Sequence, residues 1–101
     1  MLVYIACPYS GDVGQNVHNA IKIADALVEC GHKPYIPLLT HFWHIVSPQP
    51  YQFWIDYDNE ILARCDCVFR TLGQSDGADK EVKLAQKLGL PVFYNLYDIP
   101  I

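Results

Sequence analysis

Between Asp66 and Ala85 the chain reads DCVFRTLGQSDGADKEVKLA. Asp66, Cys67, Val68 and Phe69 make a short, largely apolar run with β-branched and aromatic character. Gly73 to Gly77 are turn formers, and a helical pattern starts at Ala78. A strand passing through a short polar loop into a helix is a building unit of parallel α/β sheets. Side chains on a helix lean toward its N-terminus. Glu81, in the first turns of this helix, should therefore hang over the edge where the strand ends. That edge is where open α/β sheets bind ligands.

The rest of the chain supplies partners for this unit. Leu2 to Ala6 is a continuous apolar run, as expected of a central parallel strand. Cys7 to Gly11 is a loop, and its glycine spacing with Gly14 fits no standard phosphate-binding motif. Val17, Ala20, Ile21, Ala24, Leu27 and Val28 repeat at three and four, predicting a helix over Val13 to Cys30 closed by Gly31. Lys33 to Ile36 reads as a second strand ended by Pro37. Leu38 to Pro50 reads as irregular and aromatic. A helix is expected from Pro50 to Arg64. The helix that begins at Ala78 should run to Leu88 with Gly89 as its cap, before a fourth strand from Pro91 to Tyr94. Asn95 to Ile101 shows no clear helix.

Strands alternating with helical segments predict an α/β fold. The expected form is a flavodoxin-like (Rossmann-like) three-layer sandwich, with a parallel sheet of four to five strands in order 2-1-3-4. The 101 residues are expected to form one domain. The switch in strand order then falls between strands one and three, so the loops Cys7 to Gly14 and Leu72 to Gly77 should converge on one crevice.

Spacing on the Pro50 to Arg64 helix selects a second acid. Trp54, Asp58, Ile61, Leu62 and Cys65 share one face, whereas Asp56 lies about 200° from Asp58. A carboxylate on an apolar stripe is costly unless it is paired or used. Asp58 therefore either meets a cation or a loop, or faces a pocket. Two carboxylates at a crevice form a plausible kit for glycosidic cleavage, one attacking the anomeric carbon and the other handling the leaving group. Tyr4, Tyr9, Trp43 and Trp54 offer aromatic faces for a base or sugar, and Ser75 with the Gly77 loop offers donors at a helix N-terminus. The plainer reading of Glu81 is complementation of the helix dipole.

Composition narrows the classes. A net charge of −4 with scattered Lys and Arg gives no surface for a nucleic-acid polymer. No stretch is apolar enough to span a membrane, and a cytoplasmic protein is expected. Cys7, Cys30, Cys65 and Cys67 form no CxxC pair and read as buried free thiols. Cys65 and Cys67 flank the start of a strand and are expected to face opposite ways. His41 and His44 lack further ligands at suitable spacing, so neither metal nor cofactor is expected. Their segment reads either as an aromatic flap over a pocket, with His41 and Trp54 contributing, or as interface packing.

Three segments carry a resemblance. They are Tyr4-Ile-Ala-Cys-Pro-Tyr9, Asp58-Asn-Glu-Ile-Leu-Ala-Arg-Cys-Asp66 and Ser75-Asp-Gly-Ala-Asp-Lys-Glu81. Through them nearly the whole chain resembles the nucleoside 2-deoxyribosyltransferase superfamily. That superfamily includes a branch of deoxynucleoside 5′-monophosphate N-glycosidases, and the chain is especially similar to short bacterial and phage members of uncharacterised activity. The resemblance implies that Glu81 is the nucleophile toward C1′ and that Asp58 is the active-site acid. It also implies that Tyr4 borders the base, with Pro8 and Tyr9 in the same segment, and that Ser75 and Gly77 contact a phosphate. The substrate would be a nucleoside or nucleotide, and a dimer or higher homo-oligomer is expected. The transferases carry Asp where this chain has Ser75. The hydrolases carry Gly-Ser and an Arg in the first loop, where this chain has Cys7-Pro8-Tyr9. Pro8 has no N–H to donate. The alternative is a non-catalytic nucleotide-binding sensor in which Glu81 only caps its helix.

Overall fold

The computed structural model describes residues 1–101. Its four strands are β1 (Leu2–Ala6), β2 (Lys33–Tyr35), β3 (Cys67–Arg70) and β4 (Val92–Phe93). They form one all-parallel sheet in the order β2-β1-β3-β4. Val3 pairs with both Pro34 and Cys67, so β1 is hydrogen-bonded on both edges. This matches the expected order, with four strands.

The helices are α1 (Val13–Glu29), α2 (Thr40–Val46), α3 (Tyr51–Ala63) and α4 (Asp76–Lys87). Strand alternation sorts the core into two clusters, one on each face of the sheet. Val3, Ile5, Cys67 and Phe69 pack against Val17, Ala20, Ala24 and Leu27 of α1. Tyr4, Ala6 and Val68 pack against Leu62 at the end of α3 and Ala78 and Ala85 of α4. Tyr4 and the chemistry of α3 and α4 therefore share one side of the sheet.

Several expectations are corrected. Ile21 and Val28 are 39% and 57% exposed. Each lies one helical step beyond a buried residue, Ala20 or Leu27, and α1 buries only a narrow seam. The segment Leu38 to Pro50 is not irregular. A 3₁₀ turn, Pro37–Leu39, leads directly into α2. Thr, His, Phe, Trp, Ile and Val are weak helix formers, and no residue of α2 is buried, so apolar periodicity could not reveal it. A second 3₁₀ turn, Leu96–Asp98, lies near the end of the chain. Helix α4 starts at Asp76, two residues before the apolar pattern, because Ser75 caps it by accepting the Ala78 N–H at 3.1 Å.

All four cysteines are free; Cys7, Cys65 and Cys67 are buried, whereas Cys30 is half-buried. Cys65 and Cys67 do enter opposite clusters. Residues two apart within a strand would share a face, but Cys65 lies in the turn before β3 and escapes the alternation. Asp66 serves that turn by accepting the Leu2 N–H at 2.7 Å. No helix is long and apolar enough to cross a membrane.

Candidate active site

Helix α4 rises from the C-terminal edge of β3 and turns Ala78, Val82 and Ala85 into the core. Glu81 sits on the rim of that buried face, three residues after Ala78 and four before Ala85. Its carboxylate reaches β1, where the Tyr4 hydroxyl donates to Oε2. Asp58 stands on α3 one turn before the fully buried Leu62. Its Oδ1 accepts the Tyr35 hydroxyl at 3.1 Å. The Tyr4 and Tyr35 rings are neighbours, with centroids 5.6 Å apart. Two phenol–carboxylate pairs therefore lie side by side.

Neither carboxylate has a cation in direct contact, since the two ion pairs of the molecule are Arg64–Glu60 and Arg70–Asp79. Burial consequently raises both carboxyls. Glu81 is pushed up to about 7 by burial, with the Asp58 charge adding to the rise and the Tyr4 hydrogen bond and Arg70 opposing it. Asp58 is pushed up to about 6 by burial, opposed by the Tyr35 hydrogen bond. Both phenols are raised, first by burial and then by the adjacent carboxylates, so they remain protonated donors. The Cys7 thiol is pushed up to about 12 by burial and by Glu81, which leaves it a poor nucleophile.

The carboxylates open onto a cavity of about 840 Å³, within the range of small-molecule sites. Its walls include Asp58, Glu81, Pro8, Tyr9, Ser75, Gly77, His41 and Trp54. Tyr4 is placed differently. It is fully buried and does not line the cavity, and its hydroxyl meets Glu81 from the sheet side. Tyr9 and His41 meet through a hydrogen bond of 2.6 Å between the hydroxyl and Nδ1, joining the first loop to α2. Trp54 donates from Nε1 to His44 Nδ1 at 2.8 Å and packs edge-on against Trp43 and Phe53. Asp56 points outward and bonds Gln52 at 2.8 Å.

The two expected loops do converge. A Cβ on Gly73, whose φ is +110°, would come within 3.0 Å of Pro8 Cγ. At Gly77 a Cβ would meet nothing nearer than Ser75 Oγ at 4.0 Å, so no protein atom demands glycine there. Two residues escaped the sequence reading. Tyr35 closes a short strand with no periodic signal to mark it. Arg70 ends the run Cys67–Val68–Phe69, and a cation in a fully buried strand is itself a signal that a partner is needed.

The profile of a family described as a domain of unknown function (DUF7768) matches residues 1–95. The chain belongs to that family. No curated protein matches the sequence. Among solved structures, the fold is similar to the 2-deoxyribosyltransferase of the psychrotolerant bacterium Bacillus psychrosaccharolyticus, with a TM-score of 0.68 and 22% identity. That match covers 91% of this chain and 69% of the other. The 2-deoxyribosyltransferase of Leishmania mexicana gives a TM-score of 0.64 and 18% identity, covering 90% of this chain and 61% of that one. This DUF7768 chain thus shares the α/β fold of these enzymes over a shorter length.

Proposed function

We propose that the protein cleaves the N-glycosidic bond of a (deoxy)nucleoside or its 5′-monophosphate, with Glu81 as nucleophile and Asp58 as acid. The observation that carries this reading is the pair of phenol-held carboxylates, with no cation on either, at the wall of the cavity. The likeness in fold to two 2-deoxyribosyltransferases supports it.

Ionised Glu81 attacks C1′ as the bond to the base breaks. The bonding electrons leave with the base, and Asp58 delivers a proton to it. Water or a second base then attacks C1′, gives its proton to Asp58 and frees Glu81. The Tyr4 hydroxyl favours the ionised form of Glu81 and fixes its position, so Tyr4 serves as a positioning residue. Trp54 and Tyr9 present aromatic faces to the base or sugar. Ser75, whose oxygen caps α4, keeps its O–H free to donate to the ligand.

Incubation with a panel of nucleosides and 5′-monophosphates, followed by chromatography for free base, tests the assignment. Base release that disappears in Glu81→Gln is expected. No release from any substrate, or release unchanged in the variant, rejects it. A second free base in the mixture separates the outcomes: a new nucleoside means transfer, and free sugar means hydrolysis. Ligand-induced stabilisation without turnover would instead make the chain a binding module.

A further inference from the structure

Arg70 is 8% exposed at the end of β3 and does not line the cavity. Its guanidinium donates through Nη1 to the Thr71 carbonyl at 2.5 Å. Through Nη2 it donates to the Gly73 carbonyl at 2.9 Å and to Asp79 Oδ1 at 3.1 Å. Two of these acceptors are backbone oxygens of the loop between β3 and α4. The third lies in the first turn of α4, two residues before Glu81. The same loop is braced from outside, since Gly73 approaches the Pro8 ring closely.

A buried guanidinium is costly to place and must be satisfied by its surroundings. Here one planar group fixes both ends of the segment that presents Ser75 and Gly77 and that sets where α4 begins. We propose that Arg70 is a positioning residue for Glu81, a buried cation that ties the β3–α4 loop to the first turn of α4, two residues before the reacting carboxylate. Asp79, 62% exposed at its side chain, neutralises that charge only partly. The other groups acting on Glu81 are Tyr4 from β1 and Asp58 from α3, and Cys7 from the first loop lies within its field. Lys80 lines the cavity from α4 itself. The Tyr4 hydrogen bond and the Arg70 charge both favour ionised Glu81, the form that the nucleophilic role requires.

The inference rests on Glu81 being the reacting group, but its test needs no turnover. Carboxyl-carbon NMR titration would follow Glu81 in the wild type, in Arg70→Met and in Arg70→Lys. The Glu81 midpoint should rise measurably in Arg70→Met and return most of the way in Arg70→Lys. A midpoint in folded Arg70→Met equal to that of the wild type overturns the proposal. Should Arg70→Met not fold, Asp79→Ala keeps Arg70 in place and removes its acceptor on α4, at a largely exposed side chain. Amides from Thr71 to Gly77 should then exchange with solvent several-fold faster, and unchanged exchange overturns the tether. A failure to find base release would reject the glycosidase reading and leave both readouts standing.

Discussion

At the scale of single residues, the decisive feature is two carboxyls in the same small volume whose protons burial holds to higher pH than usual. Burial pushes Glu81 up to about 7 and Asp58 up to about 6, so the two should titrate as a coupled pair. Glu81, the higher of the two, holds the proton in most singly protonated pairs, and the minor form with the proton on Asp58 is the one that provides both an ionised nucleophile and an acid. The rate of base release is therefore expected to be bell-shaped in pH, with its maximum between those values. Tyr4→Phe removes a hydrogen bond that lowers Glu81, so the Glu81 transition should move to higher pH with a loss of rate. An unmoved profile in a folded variant would contradict the role given to Tyr4. Stability follows from the same groups. Both carboxyls hold protons in the fold well above their ordinary values of 4.5 and 3.8. Their contribution is thus full below those values and is lost as pH rises through about 6 and 7. Thermal melts should show stability falling from about pH 4 to about pH 7 and levelling off above it. Glu81→Gln should flatten that fall and raise stability at pH 8 by roughly 1–3 kcal/mol. A slope equal to that of the wild type would show that Glu81 is not the titrating group.

At the scale of elements, legibility depended on whether an element buries a periodic face. Helix α4 has one, and its turn residues and Glu81 could be placed from sequence. The i, i+4 relation between Asp58 and Leu62 likewise separated Asp58 from Asp56. Helix α2 buries nothing, so the aromatic segment Phe42–Trp43–His44 hid a helix held by ring contacts and by the His44–Trp54 hydrogen bond. Tyr35 was invisible for another reason. Its role depends on parallel pairing of β1 with β2, which sets its ring beside Tyr4 and lets its hydroxyl reach Asp58, residues far away in sequence. The β3–α4 loop gives the prediction at this scale. At φ +110° a side chain is strained, and at Gly73 it also meets the Pro8 ring. Gly73→Ala should cost about 1–3 kcal/mol in denaturant unfolding and weaken ligand binding. A change of a few tenths would mean that the two loops are not braced against each other.

At the scale of the molecule, the chain leaves uncovered apolar surface beside the cavity. Phe42, Ile45 and Val46 of α2 and Tyr51 at the start of α3 are all exposed, Val46 at 81%. Clustered apolar exposure of this kind marks a contact surface. A second copy of the chain is the occupant proposed here, for an energetic reason as well as a geometric one. A chain of this length buries a smaller fraction of its surface than a larger domain does, so covering more apolar area adds stability it otherwise lacks. The same contact would hold α2 over the cavity, because His41 on α2 bonds Tyr9 from the first loop. Light scattering coupled to gel filtration should therefore report a dimer or larger species at micromolar concentration. Ile45→Lys combined with Val46→Glu should shift it to monomer and weaken ligand-induced stabilisation, since α2 loses its outer support. A wild-type monomer at every concentration would reject self-association through this surface. Dissociation with ligand stabilisation intact would show that α2 is held by its inner contacts alone.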